Sequence, residues 1–525
     1  MLRSGPAALL AGISLILPGY PALAPLSAHT HPTILEHVRA IACRVLPCEA
    51  RCELGEEVVG GRVEDSALEP VIPKQKKAWE ASLGGEEAAR PHVAARLAAL
   101  PSRHPIRPLP ADDRELVRRV AADTWRGLEG LLDREHQLPV DHVHLGTTVR
   151  VGDYVNVTTI GLRLAAIVAA QELGFLSRGE AADRLRAVLA TLATLETHAG
   201  FFFNYYDTTS LERTSNLVSF VDSSWLTAGL IVTRQAFPEL AADASRFIDG
   251  ASYRFFYDEQ LGRMAHGYWV HRESPSRYHY GVLYAESRLG SLIAIGKGDV
   301  PEAHWFQMAR TLPPSCGWQT RAPVARREKR VGEHRFYGGW YTWQDERFVP
   351  SWGGSMFEAL MPTLVLDEAR LAPAGLGANG AAHAAVQRRY ATETLGYPVW
   401  GLSPSTTPGG DYREYGVRPL GILGYEAGAV TPHASALVLP LDLPAAAANL
   451  RRLAASYPLY GDFGFYDAVD PQTGRVAASY LALDQSMIFL AAANALTEGA
   501  VQRHFAADPI IARVLPLLAT ERFFD

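Results

Sequence analysis

From Asp112 onward, apolar residues recur at helical spacing in separate blocks, and strand-like alternation is scarce. Asp112 begins the first block as a helix cap would, with acidic residues directly after it. The pattern favours an all-α fold in which helices pack as an α/α toroid. The spacing predicts helices over 115–132, 157–173, 180–196, 216–236, 281–296, 354–368, 380–394, 444–456, 477–497 and 509–519.

Two long segments between these helices, 333–354 and 398–430, are rich in Gly, Pro, Trp and Tyr. Loops of that length inside a compact domain are usually functional. We therefore expect them to contribute to a binding cleft.

Three acidic residues interrupt the apolar faces of the predicted helices: Asp222, Glu286 and Asp484. Each has apolar or aromatic neighbours three or four positions away, which places it on an inward face. An inward carboxylate costs several kcal/mol unless it is paired or faces water. A buried structural ion pair would explain any one of them. Three together favour an acidic cleft lined by the ends of inner helices.

Two acids have contrasting local sequences, as a pair of catalytic carboxyl groups requires. Tyr280 and Tyr284 both lie shortly before Glu286 in the chain. Such an aromatic, partly dry setting raises a carboxyl pKa and suits a general acid. Asp467 lies in the glycine-bounded, aromatic stretch 461–470. We expect more water access there, so that Asp467 would be an ionised base. An ordinary Gly-Asp turn is the alternative interpretation.

Other catalytic signatures are absent from the sequence. It contains no G-x-S-x-G, H-E-x-x-H or P-loop motif. His433 and the His142/His144 pair are more typical of core or hydrogen-bonding histidines than of metal ligands, and we expect neither a metal nor a cofactor. Glu358 has two interpretations: it binds a sugar hydroxyl, or it caps a loop.

The first 112 residues differ from the rest of the chain. Arg3, an apolar run over 7–17 and small residues after it predict a signal peptide over 1–28, and hence a periplasmic or secreted protein. An uncleaved anchor or a buried N-terminal helix is the alternative. Segment 29–112 holds Cys43, Cys48 and Cys52 and ends in a proline-rich linker. In an exported protein these cysteines favour one or two disulfides.

Composition narrows the class of partner. Net charge is −6 with pI near 6.3, which argues against a nucleic-acid protein. No segment after the signal peptide is long and apolar enough to span a bilayer. The chain is rich in aromatic residues, with 10 Trp, 21 Tyr and 19 Phe, as a carbohydrate cleft would require.

A series of short motifs resembles the glycoamylase-like domain of bacterial endo-β-1,2-glucanases and of cyclic β-1,2-glucan synthases. Each motif is weak by itself, but together they cover roughly 115–500 in the family's order. The motifs are Gly200–Asp207, Asp222 with Trp225–Gly229, Trp352–Glu358, Trp400–Ser405, Ala429–Ser435, Phe463–Ala468 and Ala482–Ser486.

The resemblance implies an (α/α)6 barrel over 113–525 that acts on β-1,2-linked glucan. It implies inversion, with Glu286 as the acid and Asp467 as the base, the base in some relatives acting through a hydroxyl relay. The synthase-type pattern carries Glu where this chain has Pro404 and Asp467. That difference favours hydrolysis over transfer. The residues predicted to bind substrate are Asp222, Trp352, Glu358, Tyr466, Tyr284 and Asp484.

The predicted cleft acids argue against a helical-toroid lyase, and sequence alone leaves three other functions open. The first is an exported glycoside hydrolase, the second a β-1,2-glucan transglycosylase, and the third a non-catalytic periplasmic glucan-binding protein. The expected partner is a glucan in every case.

Overall fold

The computed structural model describes residues 108–145 and 149–525 of the chain. Each predicted helical segment contains at least one helix. The helices are α1 (Asp113–Gly130), α2 (Val157–Glu172), α3 (Arg178–Leu192), α4 (Phe220–Ala236), α5 (Ala241–Asp249), α6 (Arg288–Lys297), α7 (Ala303–Gln307), α8 (Met356–Leu360), α9 (Glu368–Leu371), α10 (Leu376–Arg389), α11 (Pro432–Ala436), α12 (Leu443–Ser456), α13 (Ala482–Thr497), α14 (Ala500–Ala506), α15 (Pro509–Ala512) and α16 (Leu515–Leu518).

Short strands connect these helices and pair in antiparallel ladders of two or three strands. They are β1 (His142–Leu145), β2 (Val149–Val151), β3 (Tyr154–Asn156), β4 (Thr197–His198), β5 (Phe201–Phe202), β6 (Tyr205–Asp207), β7 (Leu217–Ser219), β8 (Tyr257–Asp258), β9 (Arg263–Ala265), β10 (Gly267–Trp269), β11 (Ser274–Pro275), β12 (His279–Tyr280), β13 (Ala325–Val331), β14 (His334–Trp343), β15 (Glu346–Phe348), β16 (Ser405–Thr406), β17 (Tyr412–Arg413), β18 (Tyr460–Gly461), β19 (Gly464–Phe465), β20 (Ala468–Val469), β21 (Val476–Ala477) and β22 (Ser479–Leu481).

The prediction of an all-α domain is therefore only partly right. Segment 333–354, expected to be a loop, consists largely of β14 and β15. β14 also pairs with the preceding β13, in register from Ala325↔Trp340 to Val331↔His334. Segment 398–430 is mostly irregular, as expected, with two short strands. Aromatic and β-branched residues in 333–354 pair across strands, which a search for helical spacing does not detect.

The helices form an inner and an outer layer. In α2 every residue from Val157 to Ala170 is buried, and α4, α6 and α13 are also buried on nearly all sides. A helix that is apolar all round must be enclosed by protein, whereas α1, α3 and α12 bury one face only. The inner helices contact one another in the order α13, α2, α4, α6. This layering is that of a helical toroid.

The contact between α2 and α4 depends on two glycines. A Cβ on Gly161 would lie 2.3 Å from the Trp225 carbonyl oxygen, and one on Gly229 would lie 2.1 Å from that of Gly161. The two backbones therefore meet with no side chain between them. This close approach fixes the placement of α2 relative to α4.

The N-terminal ends of the inner helices gather on one side. β3 leads into α2, β7 into α4 and β22 into α13. β1, which precedes α2, pairs with β22, which precedes α13. Loops and short strands therefore collect where the inner helices begin.

The predicted signal peptide over 1–28 and the cysteine-containing segment over 29–112 lie outside the described residues, apart from 108–112. Within the described ranges, every helix is too short or too polar to serve as a membrane span.

Gly229→Ala is expected to destabilise the fold by at least 1–3 kcal/mol, because the new methyl group meets backbone rather than a movable side chain. Gly179→Ala in α3 is the matched control, since a Cβ there has nothing within 4 Å. We expect that substitution to be neutral or to stabilise by about 0.5–1 kcal/mol. Urea unfolding of the two variants measures the difference, and equal stabilities would contradict the proposed close approach.

Candidate active site

An open cleft of about 250 Å³ lies where the inner helices begin. Three carboxyl groups, two histidines and several aromatic rings line it, a mixture suited to a polar ligand with apolar faces. The lining residues are His266, His279, Tyr280, Val282, Ala285, Glu286, Trp352, Phe357, Glu358, Pro404, Tyr412, Glu414 and Tyr425.

Glu286 lies in this cleft, in the turn directly before α6. The prediction that it sits within a helix over 281–296 is wrong, because α6 begins only at Arg288. The expected rise in its pKa is observed: burial raises the pKa of Glu286 to about 7, and the charge of Glu358 is the next cause. A carboxyl group with that pKa still carries its proton in about half of the molecules at neutral pH, so it can serve as a general acid.

Glu358 shares the cleft but has a structural task as well. It is the third residue of α8 and forms a capping box with Ser355. Its carboxylate accepts hydrogen bonds from Ser351 Oγ at 2.8 Å, Gly353 N at 2.9 Å and Ser355 N at 3.1 Å. Of the two interpretations left open by the sequence, loop capping is therefore the one observed. The Glu358 side chain also lines the cleft, where sugar binding stays a prediction.

A buried ion pair fixes the positions of Glu286 and Glu358. Arg288 and Glu368 are 0% and 2% exposed and meet through two hydrogen bonds of 2.7 and 2.9 Å. The same guanidinium donates to the carbonyl oxygens of Ala285, Glu358 and Ala359. Arg288 thus ties the turn that bears Glu286 to the helix that bears Glu358.

Trp352 presents an aromatic wall with a polar edge. Its side chain is 9% exposed, and its ring centroid is 6.0 Å from that of Trp318. The buried Nε1–H of Trp352 has no hydrogen-bond partner among the described residues. A buried donor without a partner is costly, so a ligand oxygen would stabilise it. Its predicted role in binding substrate agrees with this geometry.

Asp222 lies in the first turn of α4, where Ser219 caps the helix. The carboxylate accepts a hydrogen bond of 2.7 Å from Thr158 Oγ1. It is not part of the cleft lining, but its charge contributes to the raised pKa of Glu286. The predicted helix over 216–236 was placed too early, since residues 217–219 form β7 and α4 begins only at Phe220.

Asp467 and Asp484 form a second carboxyl pair, deeply buried at 2% and 1% exposure. Burial and the neighbouring Asp484 raise the pKa of Asp467 well above its usual value, and burial raises that of Asp484 to about 7. Each group affects the pKa of the other, so the two titrate as a coupled pair. The expectation of a water-accessible, ionised Asp467 is wrong.

The pair is held by the loops around it. Thr406 N donates to Asp467 Oδ2 at 2.6 Å, and Thr431 Oγ1 donates to the Asp467 carbonyl oxygen at 2.7 Å. His433 Nδ1 lies 3.0 Å from Asp484 Oδ2, and burial lowers the pKa of His433 to about 4. His433 is therefore neutral and buried, as the sequence predicted for a hydrogen-bonding core histidine.

Tyr412 links the cleft to this pair. It is 52% exposed and lines the cleft. The pKa of its hydroxyl is raised well above the usual value, first by desolvation and then by the charges of Asp484 and Asp467. The carboxyl pair therefore lies within electrostatic reach of the cleft, although its own surface is buried.

Two predicted substrate-binding tyrosines lie in the core instead. Tyr284 is 0% exposed, and the Arg288 guanidinium stands 4.6 Å from its ring centroid. Tyr466 is 3% exposed and packs 5.0 Å from the ring of Tyr480. Both predictions are wrong, because these aromatic rings fill space behind the site. Asp484 is also buried, next to Asp467, and it does not line the cleft.

Several cleft residues were missed by the sequence reasoning. Glu414, Tyr412 and Tyr425 come from segment 398–430, which was recognised as a functional loop without its residues being singled out. The Ser-x-x-Glu spacing of Ser355 and Glu358 is a capping-box signal that would have placed Glu358 at a helix start. Nothing in the local sequence marks His266, which reaches the cleft through strand pairing.

Within the ranges that the structure describes, no cluster of three or more His, Cys, Asp or Glu side chains could hold a metal ion.

Part of the chain is similar in sequence to glycoamylase-like domains. A family model described as "Glycoamylase: Putative glucoamylase" matches residues 329–509. The cyclic β-(1,2)-glucan synthase NdvB of Rhizobium meliloti (strain 1021) is 31% identical over 277 residues. That match spans 49% of this chain and only 8% of the synthase. The resemblance predicted from the motifs is thereby confirmed.

Solved structures share the fold at low sequence identity. The endo-β-1,2-glucanase of Chitinophaga pinensis, solved with sophorotriose and glucose, has a TM-score of 0.60 and 16% identity, covering 78% of this chain and 99% of that one. The β-1,2-glucanase of Parabacteroides distasonis has a TM-score of 0.63 and 18% identity, covering 78% and 60%. The α/α toroid inferred from helix burial is the fold of these proteins.

Glu286→Gln is expected to flatten the decline in stability between about pH 4.5 and 7. The unfolded carboxyl group loses its proton first, so the stability from protonated Glu286 is complete below about pH 4.5 and is lost as pH rises through about 7. Glutamine does not titrate, so it adds no pH dependence to the stability. The pH dependence from Asp484 is the same in the wild type and in Glu286→Gln. Urea unfolding across this pH range measures the slopes. Parallel curves would contradict a raised pKa at Glu286.

Arg288→Met is expected to cost about 3–5 kcal/mol, because it leaves the Glu368 carboxylate buried without its partner. Arg186→Met is the matched control, since its pair with Asp183 is exposed, at 57% and 79% for the two side chains. That control is expected to cost no more than about 1 kcal/mol. Chemical unfolding of both variants measures the costs, and a cost below that of the control would refute the structural importance of Arg288.

Proposed function

We propose that this protein is a glycoside hydrolase that cleaves β-1,2-linked glucan with inversion at the anomeric carbon. The observation that carries the proposal is Glu286, a cleft carboxyl group with a pKa of about 7 beside aromatic walls. A protonated carboxyl group next to a sugar-sized cleft is what departure of a glycosidic oxygen requires.

Glu286 is the proposed general acid. In the reaction its proton passes to the glycosidic oxygen as the bond to the anomeric carbon breaks. Desolvation and the nearby Glu358 favour the protonated state before the reaction, and the charge appears on Glu286 only as the bond breaks. Solvent restores the proton after the products leave.

The base is proposed to be the Asp467–Asp484 pair, in which Asp467 is the member that the family resemblance matches. An ionised carboxyl group of the pair has a raised affinity for protons, so it can take up a proton from the attacking water. Because Asp467 is 2% exposed, transfer through a hydroxyl group suits this geometry better than direct contact. The Tyr412 hydroxyl or a substrate hydroxyl could carry that proton.

The proposed substrate follows from the cleft and from the relatives. Trp352, Phe357 and Tyr425 offer flat faces for the C–H surfaces of sugars. The glucanases named above act on β-1,2-glucan or were solved with β-1,2-linked oligosaccharides. The six-pair (α/α)6 form of the toroid, and export to the periplasm or the medium, belong to the same proposal.

Transglycosylation of the same glucan is a second candidate, because the curated relative at 31% identity is a cyclic β-(1,2)-glucan synthase. Water and a sugar hydroxyl compete for the same reacting carbon, so the products distinguish the two activities. Shorter linear chains indicate hydrolysis, whereas cyclised or lengthened chains indicate transfer.

Glu286→Gln is expected to lower reducing-sugar release from linear β-1,2-glucan by about 10²–10⁴-fold, the usual loss for a missing general acid. Asp467→Asn is expected to cause a comparable loss, since an amide cannot take up the proton. The assay compares initial rates with those on β-1,3- and α-1,4-glucans, which should be poor substrates.

The exposed Glu333, at the turn between β13 and β14, provides the control substitution Glu333→Gln, which should keep full activity. A wild-type protein that binds β-1,2-glucan without cleaving it would refute the proposal. That outcome would instead favour a glucan-binding protein.

A further inference from the structure

We propose that Glu358 is a positioning residue whose fixed negative charge keeps Glu286 in its protonated form. The inference rests on the proposed function, since it explains how the acid of that site keeps its proton near neutral pH. It also assigns Glu358 a task different from the sugar binding that the sequence suggested.

The first step is that the two carboxyl groups share a cavity and a scaffold. Both line the same cleft of about 250 Å³. Arg288 donates to the Ala285 carbonyl oxygen at 2.9 Å and to the Glu358 carbonyl oxygen at 3.1 Å. Their backbones are therefore held at a constant separation, so any interaction between the two charges is built into the fold.

The second step is that Glu358 ionises before Glu286 does. Three donors point at the Glu358 carboxylate: Ser351 Oγ, Gly353 N and Ser355 N. Hydrogen bonds to the charged form favour that form and oppose the effect of burial. Burial raises the pKa of both carboxyl groups, but the only hydrogen bond that opposes it at Glu286 comes, within the described part of the chain, from that residue's own backbone. Glu286 is therefore the group that takes the proton.

The third step concerns the other charges that face Glu286. Arg288 is the nearest cation, but Glu368 and three carbonyl oxygens already bind its guanidinium. Its opposing effect on the pKa of Glu286 is accordingly smaller than that of Glu358. Asp222 acts in the same direction as Glu358 but more weakly. The remaining titratable groups on the cleft wall are His266, His279, Tyr280, Tyr412, Glu414 and Tyr425.

The test is an infrared titration of protonated carboxyl groups with carbon-13-labelled glutamate, which separates glutamate from aspartate absorption. The band lost in Glu286→Gln identifies Glu286, and its midpoint in the wild type is expected at about pH 7. In Glu358→Gln the midpoint is expected to fall by about one pH unit, typical of removing one neighbouring charge inside a protein. An unchanged midpoint overturns the proposal.

Ser351→Ala is the matched control, because it removes one hydrogen bond from the same cap while leaving the charge of Glu358. Its Glu286 midpoint should remain close to that of the wild type. Glu358→Asp retains the charge and is expected to restore most of the shift seen in Glu358→Gln. If Ser351→Ala lowers the midpoint as much as Glu358→Gln does, loop geometry rather than charge is responsible and the proposal fails.

Glu358→Gln keeps an oxygen that can accept hydrogen bonds from Ser351 and Gly353. A second test, in Glu286→Gln, decides the proposal even if Glu358→Gln does not fold. Because Glu358 ionises while Glu286 is still neutral, Glu286→Gln should leave the glutamate band of Glu358 at its wild-type midpoint. A Glu358 midpoint that moves to lower pH in Glu286→Gln would mean that Glu286 is charged first, and it overturns the proposal.

The pH dependence of the enzymatic activity tests the proposal independently. The alkaline limb of kcat/KM on β-1,2-glucan should move to lower pH in Glu358→Gln, so that the rate at the wild-type midpoint falls about fivefold for a shift of about one unit. The acidic limb should not move with it. If wild-type protein cleaves no glucan, the proposed function fails, while the infrared titration still decides the role of Glu358.

Discussion

The buried pair of Arg288 and Glu368 is the interaction on which the architecture of the site depends. An arginine at 0% exposure is tolerable only when every donor has a partner, and here Glu368 and the carbonyl oxygens of Ala285, Glu358 and Ala359 provide them. The consequence is geometric as well as energetic. The turn before α6 and the start of α8 cannot move apart without leaving a buried charge unpaired. Two carboxyl groups that repel each other are thereby kept in one cleft.

Helix starts explain why so many acids can gather there. Asp222, Glu358 and Asp484 are each the third residue of a helix, where unpaired backbone N–H groups and the helix dipole favour negative charge. That contribution is about 0.3–1 kcal/mol per site, well below the cost of burying a carboxylate. At Asp222 and Glu358, hydrogen-bond donors offset the rest of the cost of burying the carboxylate. At Asp484 burial instead raises the pKa to about 7, which favours the neutral form.

The sequence predicted the helical layers and the acidic, aromatic nature of the cleft, because both follow from local spacing and composition. Glu286 was placed correctly in a setting that raises its pKa, since its tyrosine-rich neighbourhood is visible in the chain. Its helix was placed too early, because apolar residues in the turn over 281–287 mimic helical periodicity. Asp467 was misjudged because its burial depends on Thr406, Thr431 and Asp484, none of them adjacent in sequence. Tyr284 and Tyr466 show the same limit: an aromatic ring beside a catalytic motif faces either the cleft or the core, and only tertiary packing decides.

The two carboxyl sites reach a similar acidity by different physical routes, and the difference suits different tasks. Desolvation and the charge of Glu358 favour the protonated form of Glu286. Glu358 has its own hydrogen-bond donors, so the proton of Glu286 is free to leave toward the cleft. In the Asp467–Asp484 pair burial raises the pKa of both groups, and the neighbouring Asp484 raises that of Asp467 further. A donor needs a proton that can leave toward the substrate, whereas an acceptor needs a raised affinity for protons. The contrast supports the proposed roles, donation by Glu286 and acceptance by the pair, on grounds separate from the family resemblance.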